Sequence, residues 1–290
     1  MAVVNTNIAA SLAQASLMKN ERALGIAMEQ LSTGKKINSA GDNAAGLAIA
    51  TRMSSQIRGL DAAVRNASDA ISMVNTAEGA LDEITAMLQR MRELAVQAGT
   101  GTTASTDRTY LQSEFTALRT EIDRIADNTQ WNGRNILDGS AGASTGKSTV
   151  AFGIGQDGTA AQTLSTSFGN FNNTTGKLSG LASKIITGTS STTASAITVA
   201  AASIAEIDVA IADVSSQRAS FGAVTNRLTH AVDSLANTKI NAEAARSQIL
   251  DTDYASATSE LARTQIIQQA STAMLAQANA MLQTVLALLQ

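Results

Sequence analysis

Two places in this chain carry residue types that could do chemistry. The stretch AGASTGKS, Ala141 to Ser148, sets Gly146, Lys147 and Ser148 as a phosphate-binding loop would. In such a loop, backbone N–H groups cradle the phosphates, the Lys neutralises charge and the hydroxyl holds a magnesium ion. That chemistry needs Gly where Ala141 stands, a strand before the loop and a helix after it. The next residues, TVAFGIG, read as a strand. A plain Gly/Ser/Thr-rich loop is the better reading. His230 is the only histidine, and it lies at helical spacing from Asp233. One imidazole cannot build a His-based metal cluster, so a surface or interface contact is expected. There is no cysteine, which removes disulfides, thiolate metal sites and thiol catalysis together. With no Ser-His-acid arrangement either, no catalytic residue, no metal site and no cofactor are expected, and the chain does not read as an enzyme.

Composition narrows the partners. The formal net charge is -3, from 21 basic and 24 acidic residues that form no basic block, and aromatics are 3%. Nucleic acid recognition, which wants a cationic face and stacking platforms, is not supported. Proline is absent, against an average usage of roughly 5%, so nothing obliges a helix to break. A membrane span needs roughly 18 consecutive apolar residues. The C-terminal run Val285 to Leu289 is far shorter, and no basic n-region with an apolar stretch after it opens the chain. Neither membrane insertion nor a cleaved signal peptide is expected.

The elements that would position any site are long helices. Ile57, Leu60, Val64, Ala67, Ile71 and Val74 alternate three and four apart, and the pattern resumes at Leu81, Ile84, Leu88, Met91 and Ala95. This is a coiled-coil seam, and a phase slip is expected near Glu78 and Gly79. Asp42 or Asn43 would cap its start, and QAGTGTTAS, Gln97 to Ser105, would stop it. A second helix from about Thr106 carries Leu111, Phe115, Leu118, Ile122 and Ile125 on one face, and the short connection makes it antiparallel to the first. A third, from about Ala196 to Ala245, carries Ile204, Ile207, Ile211, Val214, Phe221, Leu228, Val232 and Leu235. Between them, residues 139–196 hold ten of the twenty glycines and four charged residues. A β-hairpin turning at Gln156-Asp157-Gly158 is expected there, with a disordered linker as the alternative. The fold class is mainly α: a rod of coiled-coil helices with a small β-hairpin region and paired N- and C-terminal helices.

Both ends are electrically silent. No charge precedes Lys19 and none lies beyond Arg263. Near the C-terminus Ile267, Met274, Met281 and Leu288 recur every seven residues, interleaved with Ser271, Ala278 and Val285, and Leu275, Leu282 and Leu289 form a second stripe beside them. The N-terminal segment offers Leu17, Leu24 and Leu31, preceded by Val4, Ile8 and Leu12. The two segments can pair, but the C-terminal apolar face is wider than one partner helix covers. Interfacial membrane helices carry Lys or Arg on the polar face, which this segment lacks. Further copies of the same chain are therefore the expected cover.

These residues are recognisable. LSTGKKINSAGDNAAGLAIATRM (Leu31 to Met53), LQRMRELAVQA (Leu88 to Ala98), IDRIADNTQWNGRNIL (Ile122 to Leu137), FGAVTNRL (Phe221 to Leu228) and DYASATSELARTQIIQQASTAMLAQAN (Asp253 to Asn279) closely resemble bacterial flagellin. The resemblance implies a filament subunit that serves as the propeller for swimming, with a flagellar hook-filament junction protein as the alternative. It implies an inner-tube domain from residues 1–42 with 250–290, an outer-tube helical domain from 43–249, and no separate variable outer domain. It implies packing of Trp131 at a helix end. Partners implied are further copies, an export chaperone on the C-terminal segment, hook-associated and cap proteins, and the vertebrate Toll-like receptor 5. Gln89, Arg90, Glu93, Leu94, Gln97 and Glu114 match the family's receptor-contacting positions, although periodicity alone reads Arg90 and Glu93 as solvated or inter-subunit contacts. The implied location is the extracellular filament, reached through the flagellar type III export apparatus. Flagellins usually have Pro where Leu282 stands, so a helix unbroken nearly to Gln290 is expected here.

Overall fold

A computed structural model describes residues 7–142, 148–155, 162–172, 176–181, 184–186 and 193–287. The order is α1 (Ile8–Thr33), α2 (Ala40–Ala98), α3 (Ser105–Asn128), β1 (Gln130–Trp131), β2 (Arg134–Asn135), β3 (Thr149–Gly153), β4 (Thr163–Ser167), a 3-10 turn (Ser179–Leu181), α4 (Thr193–Leu250) and α5 (Tyr254–Ala287). The chain divides into two compact units, residues 58–239 and residues 1–57 with 240–290. Both α2 and α4 contribute to each.

In the 58–239 unit, α2 supplies a seam that keeps strict three-four alternation: Ala67, Ala70, Val74, Ala77, Leu81, Ile84, Leu88, Met91, Ala95 and Ala98 are all buried. The slip expected near Glu78 and Gly79 does not occur. Ala77, fully buried, continues the alternation across it, and the only non-helical backbone within α2 is at Asn43. From α3 come Phe115 and Ile122, from α4 Ile207, Val214, Phe221 and Leu228, all without exposure. Arg92 pairs with Asp208 at 2.7 Å, Asp82 with Arg218 at 2.9 Å and Asp61 with Lys239 at 2.7 Å. Numbers fall along α2 as they rise along α4, so these helices are antiparallel. α4 extends beyond its expected limits at both ends.

The described parts of the Gly-rich region are built into the fold. β3 pairs antiparallel with β4, Thr149 opposite Ser167 and Gly153 opposite Thr163; the expected turn at 156–158 lies outside the described residues. The disordered-linker alternative fails for the described parts, because Phe168, Phe171, Leu178, Leu181 and Ile186 are buried in the core. Phe168 meets Phe221 with ring centroids 5.1 Å apart, within the range of favourable aromatic pairs. Polar side chains fix the backbone: the Gln217 amide donates to the Ser167 carbonyl at 2.7 Å, Ser203 donates to Ile185 at 3.0 Å, and Gln112 accepts from the Ile186 N–H at 2.6 Å. A second hairpin, β1 to β2, is short and comes directly after α3. Its two-residue loop is Asn132-Gly133, with φ of +50° and +75°, the residue pair that a turn left-handed at both central positions prefers.

Between α2 and α3 the turn is closed by side chains. Thr100 and Thr103 donate to the Gln97 carbonyl at 3.1 Å, and the buried Arg108 guanidinium donates to the Thr100 carbonyl at 3.0 Å. Carbonyls at a helix end are short of donors and carry partial negative charge, so a cation there is favourable.

The other unit holds α1 and α5, which run antiparallel: the Asn20 amide donates to the Thr264 carbonyl at 2.7 Å and the Asn7 amide to the Ala278 carbonyl at 3.2 Å. Asn7 also caps α1 by accepting from the Ala10 N–H at 2.9 Å. At the other end of α1, Gly34 takes φ of +69° and donates to Gln30. The segments after α1 and after α4 then zip together, Lys36 N–H donating to Leu250 at 2.7 Å and Thr252 N–H to Gly34 at 3.0 Å. Beyond this turn Asn43 accepts from the Gly46 N–H at 2.8 Å, so Asn43 is the cap of the long part of α2. Asp42 instead accepts from the Ser39 and Asn38 N–H groups, at 2.8 and 3.0 Å.

Candidate self-association surface

Each terminal helix turns one stripe toward the other and leaves the rest uncovered. On α1 the covered or half-covered seam positions are Ala10, Ala13, Leu17, Asn20, Leu24, Ala27 and Leu31, with Ala23 and Gln30 half-covered on its flank. On α5 they are Ala257, Leu261, Thr264, Gln268, Ser271, Leu275 and Ala278. Both sets alternate three and four apart, the repeat of a coiled-coil seam. The seam is polar at Asn20, Thr264, Gln268 and Ser271, leucine-filled at Leu17, Leu24, Leu31, Leu261 and Leu275, and small at its alanines.

Of the two stripes read from the C-terminal sequence, Leu275 faces α1. Ile267 and Met274, from the stripe that recurs every seven, face away and remain 38% and 64% exposed. Ile266 joins them at 66%, and on α1 Ile8 and Leu12 are 68% and 69% exposed. The N-terminal set thus splits as well: Leu17, Leu24 and Leu31 belong to the intramolecular seam, Ile8 and Leu12 to the open face. α5 runs continuously through Met281, Leu282 and Val285 to Ala287, so no break occurs where Leu282 stands. Leu288 and Leu289 lie outside the described residues, as do Val4 and the side chains beyond Ala280.

Covering an aliphatic or Met side chain from full exposure stabilises by about 1.5–3 kcal/mol. For groups two-thirds exposed, each contributes roughly 1–2 kcal/mol on that scale. Several such groups on both helices, with no charge beyond Arg263 to oppose burial, form a face suited to other helices of the same kind.

A second surface lies on α2. Arg90 donates to Glu114 at 2.8 Å and to Glu93 at 3.0 Å. The hydrogen bond to Glu114, then that to Glu93, holds the guanidinium pKa above its ordinary value. Gln89, Glu93 and Gln97 are exposed beside it, and with Arg92, Val96 and Thr100 they line an open groove of about 590 Å³. Leu94 does not join them: it is 1% exposed and packs in the core. Five of the six sequence-matched positions therefore share this face, and Leu94 supports it from beneath.

The remaining candidates carry little. Ser148 leads directly into strand β3 and not into a helix, and Ala141 is buried with its carbonyl accepting from Arg134; residues 143–147 lie outside the described set. His230 is exposed on α4. Among the described residues no group of three or more His, Cys, Asp or Glu is placed to hold a metal, and no helix is long and apolar enough to cross a membrane. The Asn132-Gly133 hairpin and the core role of Phe168 to Ile186 go beyond what the sequence led us to expect; the Asn-Gly pair signalled the first, and nothing local signalled the second.

Long antiparallel helices with polar-studded seams, and open apolar faces where the chain is uncharged, define a coiled-coil structural protein. Residues 4–142 match the model of the bacterial flagellin N-terminal helical region and residues 204–289 that of the bacterial flagellin C-terminal helical region. The chain is 42% identical to a Bacillus subtilis flagellin over 304 aligned positions, covering 99% of each. It is 34% identical to flagellin A of Vibrio cholerae over 376 positions, again covering 99% of each. A solved Vibrio parahaemolyticus protein described as a putative flagellar hook-associated protein superposes with a TM-score of 0.57, over 72% of this chain and 100% of that one. At 14% identity that likeness shows a shared fold. The chain belongs to the bacterial flagellin family, the structural subunits of the flagellar filament. It is a small member: the Vibrio cholerae alignment needs 376 positions where this chain has 290 residues.

Proposed function

We propose that this flagellin polymerises by burying the open faces of α1 and α5 against further copies, forming the filament that drives swimming. The observation that carries the reading is the exposure of Ile8, Leu12, Ile266 and Met274 on helices already paired with one another, at the uncharged ends of the chain. Residues 1–42 with 250–290 form the inner tube and 43–249 the outer tube, without a separate outer domain. Ile8, Leu12, Leu17, Leu24, Leu31, Ile267, Met274, Leu275, Met281, Leu282, Val285, Leu288 and Leu289 form the polymerisation core, some through the intramolecular seam and some through contacts between copies. Before assembly the same apolar C-terminal segment is the binding site of an export chaperone, and the chain leaves through the flagellar export apparatus. Hook-associated and cap proteins meet the filament at its ends.

Purified chain should form long filaments on seeding or in precipitating salt, and a chain lacking residues 264–290 should not. Normal polymerisation of the truncated chain would overturn the proposal.

The exposed cluster on α2 and α3 supports a second activity of the unassembled chain, recognition by Toll-like receptor 5 through Gln89, Arg90, Glu93, Gln97 and Glu114. Leu94 contributes by holding the helix face in place. A monomer dose series on receptor-reporter cells tests it, and silence at all doses would reject it.

A further inference from the structure

Thioethers in this chain are sorted by environment. Met73 and Met91 are buried in the core at 5% and 0% exposure, and Met53 and Met87 are half-buried. Met18, Met28 and Met274 are 53%, 56% and 64% exposed, and all three lie on α1 or α5. Susceptibility of a methionine to oxidants depends on the access of the reagent to sulfur, and the product is a polar, chiral sulfoxide in place of a flexible apolar group. Among the described side chains, the readily oxidised sulfurs are therefore on the helices whose apolar faces are open.

Met274 is the critical one. Met18 stands next to Lys19 and Met28 next to Glu29, whereas Met274 lies beyond Arg263, in the stretch without charge. It stands one seven-residue repeat from Ile267, with Ile266 also exposed nearby. A sulfoxide oxygen on that stripe is a strong acceptor with no cation beside it. Burying it without a donor carries the penalty of any unsatisfied polar group.

We propose that Met274 is a peroxide-oxidation site, and that its sulfoxide holds the chain unassembled until the thioether is restored. The proposal rests on self-association through the open faces of α1 and α5. In the forward step the sulfur lone pair attacks one oxygen of hydrogen peroxide: the O–O bond breaks, an S–O bond forms, and the proton on the attacked oxygen passes to the departing hydroxide, which leaves as water. Sulfur loses two electrons and the peroxide gains them. The reverse step needs a thiol-dependent methionine sulfoxide reductase, which supplies two electrons, takes the oxygen into water and ends as a disulfide.

The test treats unassembled full-length chain with hydrogen peroxide, tracks each methionine by peptide mass spectrometry, and measures the lowest concentration that elongates seeds. Met274 should oxidise at least about tenfold faster than Met91, in line with sulfur exposure. The oxidised chain should need about tenfold more protein to elongate, a factor equivalent to burying one poorly satisfied polar group per contact. Each variant is compared with its own untreated sample: Met274→Leu should lose most of the peroxide effect, while Met281→Leu and the double change Met18→Leu, Met28→Leu should keep it. Helicity by circular dichroism, unchanged by treatment, separates blocked assembly from unfolding. Equal oxidation of Met274 and Met91, an unchanged elongation threshold, or full sensitivity in Met274→Leu each overturn the proposal. Protection by Met281→Leu instead would move the site and overturn it as well. If the untreated chain does not elongate seeds, the polymerisation reading fails first and the assembly consequence of Met274 fails with it, while the oxidation ranking still decides the site.

Discussion

Asn20 on α1 donates its side-chain amide to the backbone carbonyl of Thr264 on α5, 2.7 Å away across a seam built mainly of Leu and Ala. Asn20 is 8% exposed and Thr264 2%. A single polar residue at a seam position fixes register at some cost in stability. Because the Thr264 carbonyl also sits within the helical ladder of α5, its loss of Asn20 leaves it partly satisfied. Asn20→Ala should therefore destabilise the α1–α5 pair by only about 1 kcal/mol, the net worth of one such hydrogen bond. Asn20→Leu should keep or raise helicity and relax the register. Cysteine pairs placed across the seam, in an otherwise cysteine-free chain, report it: one crosslinking register in the parent, several in Asn20→Leu.

Phe221 and Phe168 join α4 to the end of β4, both without exposure and 5.1 Å apart. Phe221→Ala should cost about 3–5 kcal/mol, the usual range for a fully buried aromatic. Urea unfolding of the 58–239 unit in the intact chain, monitored by tryptophan fluorescence of Trp131, measures it. A shift of less than about 1 kcal/mol would mean the site collapses far more easily than its packing indicates.

How far the sequence reveals this depends on the range of the signal. The buried seam of Leu81, Ile84, Leu88 and Met91, the Asn43 cap and the stop after Ala98 come from local periodicity and capping chemistry. The expected slip at Glu78 and Gly79 failed because Ala77 is small enough to be passed over as neutral and yet fills the seam. Ile267 and Leu275 sit on parallel stripes of equal quality, so only the partner helix decides which faces inward. Phe168, Phe171, Leu178, Leu181 and Ile186 obey no period, since their positions are set by a surface that α2, α3 and α4 build together. Leu94 stands between the exposed Glu93 and Gln97 in a family motif, and helical phase alone accounts for its burial.

Gly34 ends α1 with φ of +69°, and a Cβ there would lie 3.1 Å from the Tyr254 hydroxyl. Left-handed backbone costs an L-residue roughly 1–2 kcal/mol. Gly34→Ala should lower stability by about that amount, with the crowding against Tyr254 adding to it. Removing the hydroxyl with Tyr254→Phe relieves the contact but not the backbone strain. The double change should therefore recover only a minor part of the loss in a thermal melt.

Asp42 accepts two backbone N–H groups, from Ser39 and Asn38, and these hydrogen bonds hold its carboxyl below the ordinary range. A depressed folded-state pKa means the contribution is present above the unfolded value and is lost as pH falls through the folded one. The ordinary Asp value is about 3.9, so the α1–α2 turn should loosen only below about pH 4. Amide resonances of Asn38 and Ser39 should titrate in that window in the parent and stay flat in Asp42→Asn. A midpoint above about pH 5 would contradict the assignment.

Ile267 and Leu275 differ by about two turns of α5 and by the face they present. Leu275 packs in the seam with α1, and Ile267 points outward at 38% exposure. Ile267→Lys should leave the monomer intact, because the long side chain can carry its ammonium into water. In a contact between copies that same charge would be buried without a partner, at an effective penalty of several kcal/mol. Elongation of seeds should then require at least about a hundredfold more protein, since each 1.4 kcal/mol is about a factor of ten. Leu275→Lys, by contrast, should lower the helicity of the free chain before any question of assembly arises. If Ile267→Lys polymerised at the parent concentration, the open stripe of α5 would not be the face that copies bury. If Leu275→Lys left the monomer unchanged, the inward assignment of the other stripe would fall instead.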